Sequence, residues 1–185
     1  MLLAAASIAV GLASSTPEGR RADDEAFRAV NSAHDPGRDR FFAGITELGS
    51  IYASIGAALA LAATGRRRTA GRAIGAACVT WTAGQLLKKV FMRPRPYDAM
   101  DDARLMIGKP NGTSWPSSHP AVILTFVTVA GRDLRLPRIA RGLLFLAAGC
   151  VAVSRSYLGV HYPSDTIGGV LMGRAVGVAW PADEG

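Results

Sequence analysis

Apolar residues fall along this chain in five long blocks separated by short charged ones, and the blocks have the lengths of helices. The first covers residues 41–64, interrupted by Glu47 and closed by Arg66, Arg67, Arg68 and Arg72. A second runs from about 73 to 90 and stops at Pro94 and Pro96, because proline lacks the backbone donor a helix needs. The third begins near Ser118 and ends near Gly131, before Arg132, Arg135, Arg138 and Arg141. A fourth covers 139–153, and the fifth starts near Pro163 and ends at 180–181. The third and fourth fall short of the ~20 residues that span a bilayer. Parts of 132–141 are therefore expected to be helical, with arginines reaching to the interface.

Ahead of these blocks, residues 1–13 are apolar but only about half a span long. They read as a short membrane-associated helix; a signal-peptide core and the end of a first transmembrane helix are the alternatives. Residues 16–40 are polar and of mixed charge, with 25–31 expected as a short helix on the surface and Pro36–Gly37 as a turn. The expected fold is all-α: an integral-membrane helical bundle of five full helices plus a short N-terminal apolar or interfacial segment. One domain over 1–185 contains both, with 1–40 as the N-terminal segment and 41–181 as the helical core.

Composition agrees with a membrane bundle, since 49% of residues are hydrophobic and 21 are glycine, which lets helices approach closely. The net charge of +7 would suit nucleic acid. However, the arginines sit in short groups between apolar runs, with no basic face or aromatic platform, so anionic lipid or a phosphorylated substrate is the expected partner and nucleic acid is not. Cys78 and Cys150 lie inside apolar runs and read as small core residues. The loops 65–72 and 132–141 must share one side, expected to be cytoplasmic because each carries four arginines.

Three clusters of chemistry-bearing residues fall together on the other side. In Ser154-Arg155-Ser156-Tyr157-Leu158-Gly159-Val160-His161-Tyr162-Pro163-Ser164-Asp165, Pro163 suits the first turn of a helix. Asp165 then lies in that turn and can reach back to one nitrogen of His161, leaving the other free as a nucleophile. Arg155 ends the preceding helix with a planar fork suited to phosphate oxygens. Pro116-Ser117-Ser118-His119 places a second imidazole at a helix start, where the N–H groups of Ser117 and Ser118 and the Ser117 hydroxyl can bind an anion. His119 can give a proton to a leaving oxygen and take one from water. Lys88 on the last turn of the second block and Arg95 in the loop beyond can point at one anion, whereas Lys89 and Arg93 read as interfacial anchors. The set holds three cations, two histidines and one carboxylate, without an acidic pair or a cysteine to hold a metal. It suits phosphoryl transfer to an imidazole, with Lys and Arg holding the developing charge.

The order Lys88 to Arg95-Pro96, then Pro116-Ser117-Ser118-His119, then Ser154-Arg155 to His161 to Asp165 resembles the type 2 phosphatidic acid phosphatase (PAP2) superfamily pattern K-x6-R-P, P-S-G-H, S-R-x5-H-x3-D. The resemblance implies a helical bundle that removes phosphate from a lipid without metal or other cofactor. It makes His161 the nucleophile forming a phosphohistidine, Asp165 the residue that orients it, and His119 the acid and base. Lys88, Arg95, Ser117, Ser118 and Arg155 would cradle the phosphate. Ser118 stands where the pattern has glycine, which matters if the backbone there needs a positive φ.

The expected activity is hydrolysis of a polyprenyl diphosphate, a polyprenyl-phosphosugar phosphate or a phosphatidate-type lipid, in the plasma membrane with the site facing outward. A non-catalytic lipid-binding or transport protein of the same fold, and a soluble acid phosphatase or haloperoxidase-like relative, are the alternatives. In the loop 97–114, Asp98, Asp101 and Asp102 read as solvated surface residues.

Overall fold

The computed structural model describes residues 1–32 and 35–182, and every regular element among them is helical. In order these are α1 (Leu2–Ala13), α2 (Pro17–Asn31), α3 (Pro36–Ile45), a 3-10 turn (Thr46–Gly49), α4 (Ile51–Ala63) and α5 (Arg67–Phe91). After them come α6 (Pro96–Ala99), α7 (Ser118–Asp133), α8 (Arg138–Tyr157) and α9 (Pro163–Ala179).

Helix α7 is the centre. Its residues are buried without a break from Pro120 to Gly131, so it is shielded on every face, as a helix apolar all round must be. Small residues let its neighbours close in. On α9, Gly169, Gly173 and Gly177 recur every fourth residue and face α7. A Cβ at Gly173 would lie 2.3 Å from the Ala121 carbonyl oxygen, so no other residue fits that approach. Helix α5 also packs on α7 and buries Ala70, Ala73, Ala77, Thr80 and Gly84 at helical spacing. Two hydroxyls tie the three helices: Thr80 and Thr125 lie 2.9 Å apart, and Thr125 donates to the Gly173 carbonyl at 2.9 Å. Helix α1 packs against α9, and α4 against α5.

Several expectations change here. The N-terminal surface helix is longer than 25–31: Thr16 caps α2 by accepting the Gly19 N–H at 3.1 Å, with Pro17 following as the first helical residue. Pro36 and Gly37 open a helix instead of turning the chain, because Asp35 accepts the N–H groups of Gly37 and Arg38 at 2.9 Å. The block 41–64 is not one span. It breaks at the 3-10 turn, where α4 restarts with Ser50 accepting the Ala53 N–H at 3.0 Å, and the two arms bend by 63°. Cys78 is exposed and Cys150 half-buried, so neither is a core residue; the core positions of α5 are taken by its alanines. Among the described residues, α8 alone is both long and apolar enough to cross a membrane by itself, or two elements if the bent pair counts as one.

The two arginine-rich loops do share an end. Arg72 pairs with Asp133 at 2.6 Å, and Arg132 donates to the Trp180 carbonyl at 2.8 Å. The three motif clusters occupy the other end of the bundle.

Candidate active site

The site is assembled from two chain reversals and the loop before α7. Met92 adopts a left-handed conformation (φ 44°) that ends α5 just after Lys88 and swings Arg95 back toward the bundle. Lys88 Nζ donates to the carbonyls of Thr113 and Ser114 at 2.8 and 2.9 Å. Arg95 donates to the carbonyls of Gly112 and Val160 at 2.8 and 2.9 Å, and so pins the loop before α7 to the loop before α9. Gly159 makes the second reversal at φ 82°, where a Cβ would collide with the Arg104 carbonyl oxygen at 2.0 Å. That turn carries the chain from Arg155, in the last turn of α8, to His161, just ahead of α9.

Lys88, Arg95, Ser118, His119, Arg155 and His161 line one cavity of about 260 Å³. Tyr52 on α4 and Trp81 on α5 form its apolar mouth. Arg155 is buried, with one guanidinium nitrogen donating to Thr46 Oγ1 at 2.7 Å and its Nε without a partner. Three cations and two imidazoles thus line one space with room for a phosphate group. Burial first, and then Lys88, Arg95 and Arg155, hold the His161 ring well below the usual imidazole pKa, so it is neutral. Arg95 Nη1 lies 3.2 Å from His161 Nε2, and a guanidinium can only donate. Nε2 therefore carries the lone pair and Nδ1 the hydrogen.

Two predicted residues lie behind the cavity wall. Asp165 Oδ2 is 3.5 Å from His161 Nδ1, and the carboxylate also accepts the Tyr162 N–H at 2.8 Å. Ser117 does not offer a free N–H, since that group donates to the Asp165 carbonyl at 3.0 Å; its buried hydroxyl has no partner. Ser118 needs no positive φ: it is the first residue of α7, and its hydroxyl accepts from Gln85 at 3.2 Å. Asp98 and Asp102 pair at the exposed surface with Lys109 and Arg28, each at 2.7 Å.

Three residues here escaped the sequence reading. Arg93 is not an interfacial anchor like the exposed Lys89. Its guanidinium is 11% exposed and bridges Asp165 Oδ1 at 3.0 Å to Asp23 Oδ2 at 2.7 Å, while lying 4.0 Å over the Tyr162 ring. Burial opposes its charge, but Asp165 and Asp23 outweigh that and raise its pKa above the usual value. Asp23 arrives from α2 and also accepts the Ser164 N–H at 3.0 Å and the Ser164 hydroxyl. Ser114, fully buried, places its hydroxyl against both Asp165 Oδ2 and His161 Nδ1. Among the described residues no group of three His, Cys, Asp or Glu is placed to hold a metal ion.

The PAP2 superfamily profile matches residues 69–183, a stretch that includes every residue lining the cavity beyond α4 and its preceding turn. The chain belongs to the PAP2 superfamily. It is 35% identical over 91 residues to an undecaprenyl-diphosphatase of Sulfolobus acidocaldarius, which is 49% of this chain and 43% of that relative. To a decaprenylphosphoryl-5-phosphoribose phosphatase of Mycolicibacterium smegmatis it is 32% identical over 119 residues, 64% of this chain and 62% of that one. The match thus spans less than two thirds of the length of each of these curated relatives. The crystal structure of a transmembrane PAP2 type phosphatidylglycerolphosphate phosphatase from Bacillus subtilis shares the fold with a TM-score of 0.79. At 22% identity, it covers 95% of this chain and 90% of its own.

Proposed function

We propose that this PAP2 chain is a single-domain integral-membrane phosphatase that removes phosphate from a lipid phosphate or diphosphate. Polyprenyl diphosphates, polyprenyl-phosphosugar phosphates and phosphatidate-type lipids are the substrate class. The observation that carries the reading is the cavity at which Lys88, Arg95 and Arg155 meet His119 and His161 behind an apolar mouth.

Membrane insertion is supported by the outward faces of the helices. Tyr52, Ile55 and Leu59 on α4, Val79, Leu86 and Val90 on α5, and Ile139, Leu143 and Leu146 on α8 are all exposed large apolar side chains. Such a belt is costly in water and suits lipid tails. The arginine-rich end is then cytoplasmic and the site lies on the outer face of the plasma membrane.

The chemistry runs in two balanced steps. The Nε2 lone pair of His161 attacks phosphorus, a P–N bond forms, and the P–O bond to the lipid breaks as His119 gives the leaving oxygen a proton. Water then attacks phosphorus, His119 takes its proton, the P–N bond breaks and phosphate leaves. In the first step the Arg95 N–H that caps Nε2 keeps its proton and switches its hydrogen bond to a phosphoryl oxygen. With Lys88 and Arg155 it holds the charge that builds there. His161→Ala should lower phosphate release from a lipid phosphate in detergent by about a thousandfold or more while leaving the protein folded. Unchanged turnover would remove His161 from the nucleophile's role.

A further inference from the structure

Hydrogen-bond accounting around His161 leaves its Nδ1–H in need of an acceptor. Asp165 Oδ2 is 3.5 Å away, outside ordinary N–H···O range. Ser114 Oγ is closer, at 3.3 Å, just past that range. The serine has one hydrogen to give, and it points at Asp165 Oδ2. That carboxylate is an acceptor on both oxygens, because Arg93 donates to Oδ1 and the Tyr162 N–H to Oδ2. A hydroxyl that donates to the carboxylate keeps its lone pairs for the imidazole. The chain of donors therefore runs His161 Nδ1–H to Ser114 Oγ–H to Asp165, in one direction only.

We propose that Ser114 is a positioning residue: its hydroxyl stands between His161 and Asp165 and holds the imidazole in the Nδ1–H tautomer, with the Nε2 lone pair facing the cavity. Asp165 then acts on the ring through Ser114. This rests on His161 being the nucleophile, since only then does the tautomer govern the rate. The backbone of Ser114 has separate duties: its N–H donates to the Arg93 carbonyl at 2.8 Å, and its carbonyl accepts from Lys88 at 2.9 Å. An alanine keeps both, so Ser114→Ala removes the hydroxyl and little else.

The test is 15N NMR of His161 in detergent-solubilised protein, with turnover on a lipid phosphate measured in parallel. The chain has three histidines, so comparison with His161→Gln assigns the signal. Wild type should show the Nδ1–H pattern. In Ser114→Ala the two tautomers should mix and kcat should fall about ten- to hundredfold with KM little changed, the size seen when a functional imidazole loses its outer partner. Ser114→Thr, which restores a hydroxyl, should recover the wild-type shifts and much of the rate. A Ser114→Ala protein with an unaltered His161 tautomer, or with turnover within twofold of wild type, overturns the proposal. Mixed tautomers in a protein whose wild type hydrolyses no lipid phosphate would leave Ser114's positioning role standing and sink the phosphatase reading instead.

Discussion

Replacing Arg93 by alanine should damage this protein more than any surface arginine could. The guanidinium is 11% exposed, its partners Asp23 and Asp165 are 5% and 0% exposed, and one cation serves both carboxylates. Deleting it leaves two buried carboxylates facing each other across a gap, with the Ser164 hydroxyl and the Tyr162 ring also losing their contacts. Breaking a buried pair from one side costs about 3–5 kcal/mol. For a chain of this size that is a fall of about 6–20 °C in melting temperature. Arg93→Lys keeps the charge but cannot reach Asp23, Ser164 and Asp165 together, so its loss should be smaller. Adding Asp23→Asn to Arg93→Ala removes one of the stranded charges and should recover part of the stability, a coupling that two independent surface sites would not show. Thermal unfolding of these four proteins and of Asp23→Asn alone, all in one detergent, provides the measurement. An Arg93→Ala variant that melts within about 2 °C of wild type would refute the bridging role, as would strict additivity in the double variant.

Two other perturbations address the bundle and the buried imidazole. Gly173→Ala puts a Cβ 2.3 Å from the Ala121 carbonyl and should force α9 off α7. A loss of about 1–3 kcal/mol is expected, while the same change at Gly56, where nothing lies within 4 Å, should be neutral or stabilising. His161 is held neutral when folded, with its pKa well below the 6.5 that the unfolded chain regains. Below about pH 6.5 the unfolded state therefore binds the extra proton, so stability should fall as pH drops through that range and recover as it rises. His161→Gln should make that slope shallower in melts between pH 5 and 7.

The cations and imidazoles were legible in the sequence because each stands at a helix end, where proline, glycine and apolar run lengths announce the boundary. Lys88, Arg95, Ser118, His119, Arg155 and His161 duly share one cavity. What supports them was not legible. Asp23 sits in a run of charged residues that reads as solvated surface, yet it meets residues 70 and 141 positions away. Arg93 looks no different in sequence from Lys89, and only the fold separates the buried bridge from the exposed anchor. Ser114 precedes a recognisable motif, but its role depends on a loop folding back over Asp165. Other misses did have local signals. Thr16-Pro17 and Asp35-Pro36 are each a cap residue followed by a first-turn proline, and both start helices. Glu47, Gly49 and Ser50 mark the break in 41–64, where a Cβ on Gly49 would meet His119 Cβ at 2.8 Å. That break lets the 3-10 turn supply Thr46 to Arg155, so a feature that ends a span also completes the site.

The most direct measurement is chemical: incubate the detergent-solubilised protein briefly with a lipid phosphate, quench in alkali, and map the modified peptide by mass spectrometry. Phosphate on Nε2 of His161, absent in His161→Ala, is the predicted result. Steady turnover with no phosphorylated intermediate, or with phosphate carried by another residue, would contradict it.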